Sequence, residues 1–558
     1  MRRVLSRLGI RYERPSKVMW LVLGVSLIIR VWGLGYGVPL LYSVMDENGH
    51  YIGALYVLAN KTLVSPFFHT IVGAYLTALV LGVTIMALLW LKVFPSVNVL
   101  KRYLVLNPGF LLPVARLMSV GFGLLNIYLF YDLAYQITGN KKIAHVAAGL
   151  LGFCLLHVQL SSFARPWTLS LIWMLLVLKL ALGKGGNKKQ IWRRNLVVGV
   201  LVGIGWGTHQ SGIINFIVMF YMIAKDVLGR KYGVRKLVNQ WLLPIAAVGM
   251  LILSYQLVRS PNSYFDYPEY INDLLVWPPR LIDFWRYVEA NTRFFIKILL
   301  FHEPVLTATG VMGMVWFGKE KRYRDLYWLT VVTAVVSFMT FYQTSRSMLP
   351  LFLELALFGA VAVVKLVKMF RVVLVKAMWW GLVFGINLVL VARYDWLLVQ
   401  KPTFVEANEW VEKNVGSDQL TAMRVGGYSN FITDSKTAEA ITEVNPAYNR
   451  VAYQTLQTND YSSVIYMNEL DNVKIDPNDY LKKNKPDFVV DLYYDPAYKL
   501  APDWLFGEYE VVKVIIPVGS KPVQKLSYLV ENMFDPYPWE LLWKIDRPGP
   551  YVLIYKKS

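Results

Sequence analysis

One cysteine in 558 residues, Cys154 within an apolar run, excludes a disulfide framework inside the chain and any zinc or iron–sulfur site built on cysteine. Charge is scarce as well: 17% of residues are Asp, Glu, Lys or Arg, against about 25% in an ordinary soluble domain. Acids are scarcest in one stretch. Residues 1–400 hold 15 Asp and Glu beside 41 Lys and Arg, whereas residues 401–558 hold 22 and 17. There is no P-loop, no HExxH pair, no internal repeat and no low-complexity segment. Nor does a short apolar core with a small-residue cut site mark a cleavable signal.

What the chain has in excess is apolar residues, 56% of the total, with 15% aromatic. Long apolar runs begin near Val18, His69, Val114, Ile143, Trp167, Leu196, Gly212, Trp241, Pro304, Leu326, Met348 and Ala377. Basic residues fall between these runs, so they read as topology signals and not as a nucleic-acid surface. Arg2, Arg3, Arg7, Arg11, Arg14 and Lys17 put the N-terminus in the cytoplasm. The run from His69 to Val93 decides the rest. If it crosses, the loops at Lys141–Lys142, 184–194, 230–236, 319–324 and 365–376 all face outward with 19 basic residues. If it lies along the outer surface or re-enters, all five face the cytoplasm, which the positive-inside rule favours. The second course gives about eleven spans, with the N-terminus inside.

The fold expected is therefore a polytopic α-helical membrane domain, residues 1–398, followed by an extracytoplasmic mixed α/β domain, residues 399–558. Residues 39–113 become a long first outer loop with an interfacial helix, and Ser161 to Trp167 a short second one. Thr208-His209-Gln210-Ser211 caps a tight helical hairpin on the same side. In the tail, Glu406 to Val415 has a helical period. Asp487 to Tyr493 and Tyr551 to Tyr555 read as strands bounded by Pro486 and by Pro548-Gly549-Pro550.

Polar residues at the outer boundary are the candidates for chemistry. Asp46 and Glu47 are the sole acids between Glu13 and Asp132. Such a pair could take a proton from an acceptor hydroxyl or hold a divalent cation; equally, it could be solvated at the interface. Arg116, Arg165 and Arg346 collect on the same side, and Arg30 lies inside the first span, where a charge faces the protein interior. Guanidinium groups suit a lipid-linked phosphate, but long basic side chains also snorkel to the interface. His209 at the hairpin tip either donates to a phosphate or sugar oxygen or simply caps and hydrates the turn. His302-Glu303 reads as interfacial, and Glu354, costly within a span, as protonated or paired.

The order of these features resembles the GT-C glycosyltransferases, specifically the family of dolichyl-phosphate-mannose-protein mannosyltransferases and lipid A aminoarabinose transferases. The residues that carry the resemblance are Leu27-Ile-Ile-Arg-Val-Trp-Gly-Leu before the acid pair, Pro66-Phe-Phe-His69 at the interfacial helix and Arg116-Leu-Met-Ser. Ala164-Arg-Pro-Trp-Thr-Leu, Gly207-Thr-His-Gln-Ser-Gly212, Arg346-Ser-Met-Leu-Pro and the outer α/β tail complete them. The resemblance implies a polyprenyl-phosphate-sugar donor, an acceptor hydroxyl on protein, lipid or glycan, and inversion by direct displacement. Asp46 would be the general base, with Glu47 supporting it or contacting the sugar. Arg165, His209 and Arg346 would neutralise the leaving phosphate, with Arg116 a further donor. His50, Tyr51, His69 and Gln210 are candidate sugar or acceptor contacts.

Two departures stand out. Many relatives place an acid in the second outer loop, where this chain has Ser161-Ser-Phe-Ala-Arg-Pro166. The interfacial helix also lacks the family's proline pattern after His69. The first leaves open whether a divalent cation, magnesium or manganese with Asp46 as a ligand, takes part. Alternatives are a polysaccharide ligase or polymerase of related fold, and a non-catalytic polyprenyl-lipid binder or transporter. A prokaryotic plasma membrane is the expected location.

Overall fold

The structure, a computed structural model, describes residues 15–38, 47–60, 71–107, 109–183, 188–209, 212–228, 234–259, 281–339, 345–416, 419–425, 464–466, 482–483, 485–493, 507–518 and 537–558. In chain order the first helices are α1 (Lys17–Val31), α2 (Glu47–Asn60), α3 (Ile71–Trp90), α4 (Val97–Leu106), α5 (Leu112–Thr138), α6 (Lys141–Gly152), α7 (Leu155–Ser162) and α8 (Trp167–Ala181). There follow α9 (Lys188–Thr208), α10 (Ile213–Leu228), α11 (Val234–Arg259), α12 (Leu281–His302), α13 (Pro304–Phe317) and α14 (Arg324–Met339). Next come α15 (Leu349–Met369), α16 (Val373–Trp380), α17 (Ile386–Val399) and α18 (Thr403–Asn414). The tail carries β1 (Thr421–Val425), β2 (Val464–Tyr466), β3 (Phe488–Tyr493), β4 (Tyr509–Ile515), α19 (Trp539–Lys544) and β5 (Tyr551–Lys557).

Among the described residues, four helical stretches are long and apolar enough to cross a membrane: Val72–Trp90, Leu112–Thr138, Ser345–Met369 and Val373–Asn414. Counting each sharply bent pair as one span adds α6 with α7, bent by 58°, and the end of α12 with α13, bent by 110°. Other apolar runs form shorter helices; α8, with 15 residues, reaches about 22 Å of the roughly 30 Å hydrocarbon thickness. The count of about eleven spans therefore stays a reading of the sequence. The run from His69 to Val93 yields one unbroken helix, α3, so it does not reverse as a re-entrant segment would.

The chain divides into two compact units. One comprises Met1–Val31, Phe68–Tyr75 and Leu117–Ala392; the other Trp32–Phe67, Leu76–Arg116 and Arg393–Ser558. In the first, α15 is the central helix, buried from Leu349 to Val364. It meets α13 backbone to backbone: a Cβ at Gly313 would lie 2.1 Å from the Phe358 carbonyl oxygen, and one at Gly310 would lie 2.8 Å from that of Leu355. Small residues are what permit such close helix contacts where lipid removes the hydrophobic incentive to associate.

The second unit contains a five-stranded sheet in the order β2-β1-β3-β5-β4. Strands β2, β1 and β3 run parallel, and β5 and β4 complete the sheet antiparallel. All six residues of β3 are buried, as a central strand covered on both faces requires. The Thr403 hydroxyl at the start of α18 donates to the Pro550 carbonyl at 2.6 Å, fixing that helix to the entrance of β5. Arg393 on α17 donates to the carbonyls of Leu542 and Ile545 at 2.9 and 2.7 Å, closing the end of α19.

Candidate active site

The first constellation lies in the second unit. Residues 32–38 form successive turns, in which Gly37 adopts φ +75°, a conformation that favours glycine. These turns aim the carbonyls of Leu34 and Tyr36 at one Arg116 nitrogen, Nη1, at 2.9 and 2.6 Å. The same guanidinium grips Glu47 with two parallel bonds, Nε to Oε1 at 2.8 Å and Nη2 to Oε2 at 2.6 Å. Both side chains are about 1% exposed. Burying such a pair costs several kcal/mol of desolvation, which the fork geometry and the two carbonyl bonds offset. Arg116, expected from the sequence at a donor phosphate, here bonds Glu47 and the Gly-rich turn. Glu47 opens α2.

One helical turn on, His50 and Tyr51 are buried on the same helix. Burial, and next the Glu47 carboxylate, push the Tyr51 phenol well above its ordinary range. Asp46, His69 and Gln210 lie outside the described residues. Both Glu47 oxygens serve Arg116, and among the described residues no three His, Cys, Asp or Glu side chains come together as cation ligands.

The second constellation lies in the first unit and centres on a residue that sequence reasoning passed over. Trp167 opens α8 and is 3% exposed. The guanidinium carbons of Arg165 and Arg346 stand 4.8 and 5.3 Å from its ring centre. Its indole N–H donates to His209 Nε2 at 3.2 Å. His209 is held at the hairpin tip by a close backbone approach, because a Cβ at Gly212 would fall 2.3 Å from the Gly205 carbonyl oxygen. Arg165, Arg346 and His209 thus converge on one indole, while a cleft lined by Trp167, Leu171, Met174, Arg346, Leu349 and Pro350 opens beside it. The signal in the sequence was Trp167 directly following Arg165-Pro166.

Behind this site the bent helix pair is pinned by two buried charges. Arg30 donates to Ser161 Oγ at 2.7 Å, to His157 Nδ1 at 2.8 Å, and to the carbonyls of Gly152 and Ser26 at 3.1 and 2.9 Å. Glu303 accepts from the Leu156 amide at 2.8 Å. Arg30 therefore meets the last carbonyl of α6, where a cation complements the helix end, and the Glu303 carboxyl accepts from the first turn of α7. His302 and Glu303, read from the sequence as interfacial, are buried in the protein at the 110° bend. Glu354 is buried and accepts from the Thr333 hydroxyl at 3.2 Å.

No protein-family model matches the chain, and no curated protein matches it. Among solved structures, ArnT from Cupriavidus metallidurans bound to undecaprenyl phosphate aligns at 11% identity over 97% of this chain and 98% of that one, with a TM-score of 0.49. The oligosaccharyltransferase AglB from Archaeoglobus fulgidus, in complex with an inhibitory peptide and a dolichol-phosphate, aligns at 11% identity over 97% of this chain and 88% of that one, with a TM-score of 0.48. The S. cerevisiae protein O-mannosyltransferase Pmt1–Pmt2 complex bound to the sugar donor aligns at 13% identity over 46% and 35%, with a TM-score of 0.34. All three are GT-C glycosyltransferases, the class that the motif order resembles. At TM-scores below 0.5 such likeness assigns no residue a role, and the roles below rest on this chain alone.

Proposed function

We propose that the protein moves a hexosyl or pentosyl group from a polyprenyl-phosphate-linked donor to an acceptor hydroxyl at the outer face of the membrane, with inversion at the anomeric carbon. The observation that carries this reading is the convergence of two partly exposed arginines and His209 on Trp167, beside a cleft whose walls include Leu171, Met174, Leu349 and Pro350 as well as Ser170. Paired guanidinium groups next to apolar walls suit a phosphate that trails a hydrocarbon chain.

The proposed step is a direct displacement. Asp46 takes the proton of the acceptor hydroxyl as that oxygen forms its bond to the anomeric carbon. The bond from that carbon to the phosphate oxygen breaks, its electron pair leaves on the polyprenyl phosphate, and Arg165 and Arg346 neutralise the charge that develops. Glu47 anchors and exchanges no proton: held by Arg116, it fixes the start of α2, directly after Asp46.

An outward-facing site is supported by loop charge. The Glu47–Arg116 pair brings residues 47 and 116 together, so the chain between them starts and returns on one side. Among the described helices in that segment only α3 is long and apolar enough to cross. An in-plane course for α3 at the outer surface, which the loop charges favour, agrees with that pairing. Residues 1–398 are then the membrane-embedded catalytic part, and residues 399–558 an extracytoplasmic domain on a prokaryotic plasma membrane.

The test is release of polyprenyl phosphate from a panel of polyprenyl-phosphate sugars by the purified chain, by Asp46→Asn and by Arg346→Ala, each with and without chelator. Turnover that Asp46→Asn abolishes is the expected result, and the chelator arm decides whether a divalent cation takes part. The absence of an acid from the second outer loop, with Glu47 neutralised, favours one second reading, a polyprenyl-lipid binder without catalysis. Intact lipid binding with no turnover on any donor would establish it.

A further inference from the structure

The contact between Trp167 and His209 has a direction that chemistry fixes. An indole N–H is a donor only, so His209 Nε2 at 3.2 Å must present its lone pair. An imidazolium has no lone pair on either nitrogen. In this contact His209 is therefore neutral, and its single proton sits on Nδ1. The two rings meet edge to face, at 85° with centres 6.4 Å apart, which keeps the indole N–H in the imidazole's reach. The same indole carries Arg165 and Arg346 within cation–π distance.

We propose that Trp167 is the positioning residue of this site: its N–H holds His209 as the neutral Nδ1–H tautomer, and its ring sets the two arginines that meet a phosphate monoester. This rests on the phosphate reading given above and refines it. The positive charge offered to the ligand comes from Arg165 and Arg346, while His209 contributes a neutral N–H donor. One side chain thereby sets both the charge and the hydrogen-bond polarity of the cluster, and its two functions are separable by substitution. Trp167→Phe keeps an aromatic face and removes the N–H; Trp167→Leu removes both.

The test uses the full chain in detergent, with ring-¹⁵N-histidine in place of its 6 histidines. His209→Gln identifies the His209 resonances, and undecaprenyl phosphate serves as the titrated ligand. The wild type is expected to show the neutral Nδ1–H signature for His209 at pH 7.5 without ligand. In Trp167→Phe that signature is expected to shift to the Nε2–H form or to imidazolium. Undecaprenyl phosphate should then bind about 3- to 10-fold more weakly, the range for losing one hydrogen-bond constraint. Trp167→Leu should weaken it further, as the arginines lose their ring. An Nε2–H or imidazolium His209 in the wild type would overturn the proposal whatever the variants do. So would a tautomer that Trp167→Phe leaves unchanged. A shifted tautomer with unchanged lipid affinity would leave the Trp167–His209 link standing and remove the phosphate from this site.

Discussion

Arg116 closes both oxygens of Glu47 in a single fork, Nε at 2.8 Å and Nη2 at 2.6 Å, although the two residues are 69 positions apart. The guanidinium also ties down the Leu34 and Tyr36 carbonyls, so one side chain joins the exit of α1, the start of α2 and the first turn of α5.

Removing one partner of this pair leaves the other buried and uncompensated. Arg116→Met is expected to cost about 3–5 kcal/mol of stability, read as a lowered thermal midpoint in detergent. Glu47→Gln, which keeps one acceptor oxygen, should cost less. A double variant less destabilised than the sum of the singles would report the coupling directly.

Gly313 and Gly121 make a matched comparison. A methyl group at Gly313 would collide with the Phe358 carbonyl at 2.1 Å, and backbone there cannot rotate aside. At Gly121, within α5, nothing stands within 4 Å. Gly313→Ala should therefore lower the thermal midpoint strongly, by an overpacking cost of about 1–3 kcal/mol or more. Gly121→Ala should be neutral or raise stability by up to about 1 kcal/mol through helix propensity.

Arg30→Lys is not conservative here. Lysine supplies a point charge and cannot span Ser161, His157 and two carbonyls together. Each buried group left without a donor costs about 1–3 kcal/mol. Arg30→Lys should be destabilised by roughly one such loss or more, and Arg30→Met by more again. Urea or thermal unfolding of the two variants gives the order.

Arg165→Ala and Arg346→Ala should each weaken polyprenyl phosphate binding by about 10- to 100-fold, the scale of a charge-assisted hydrogen bond of roughly 1.5–3 kcal/mol. Lysine at either position should restore only part of that, because it stacks less well on the indole and cannot bind bidentately. Calorimetric titration with the lipid phosphate measures both. Equal affinity in all four variants would place the phosphate elsewhere.

Much of this architecture is local and could be read from the chain. Apolar runs, the charge contrast at residue 400 and the Pro486 and Pro548-Gly549-Pro550 boundaries needed no tertiary information, and β3 and β5 form where those boundaries place them. Arg30 also followed from local reasoning, because a charge inside a span has nowhere to go but inward. Pairing is another matter. The sequence sets Glu47 beside Asp46 and Arg116 among the cations of the same layer, but it does not show that Arg116 bonds both Glu47 oxygens. The burial of His302 and Glu303 at the 110° bend is likewise invisible in a sequence, which shows polarity but not the bend.

The sequence by itself determined which segments are apolar, where polar groups interrupt them and which side chains carry charge; these are properties of residues and their immediate neighbours. Packing alone sets which charge satisfies which, and it brings the Trp167 N–H to a histidine 42 positions away. The reason is physical. Desolvation makes every buried charge or donor demand a partner, but the chain's packing, and not its local composition, determines which partner is within 3 Å.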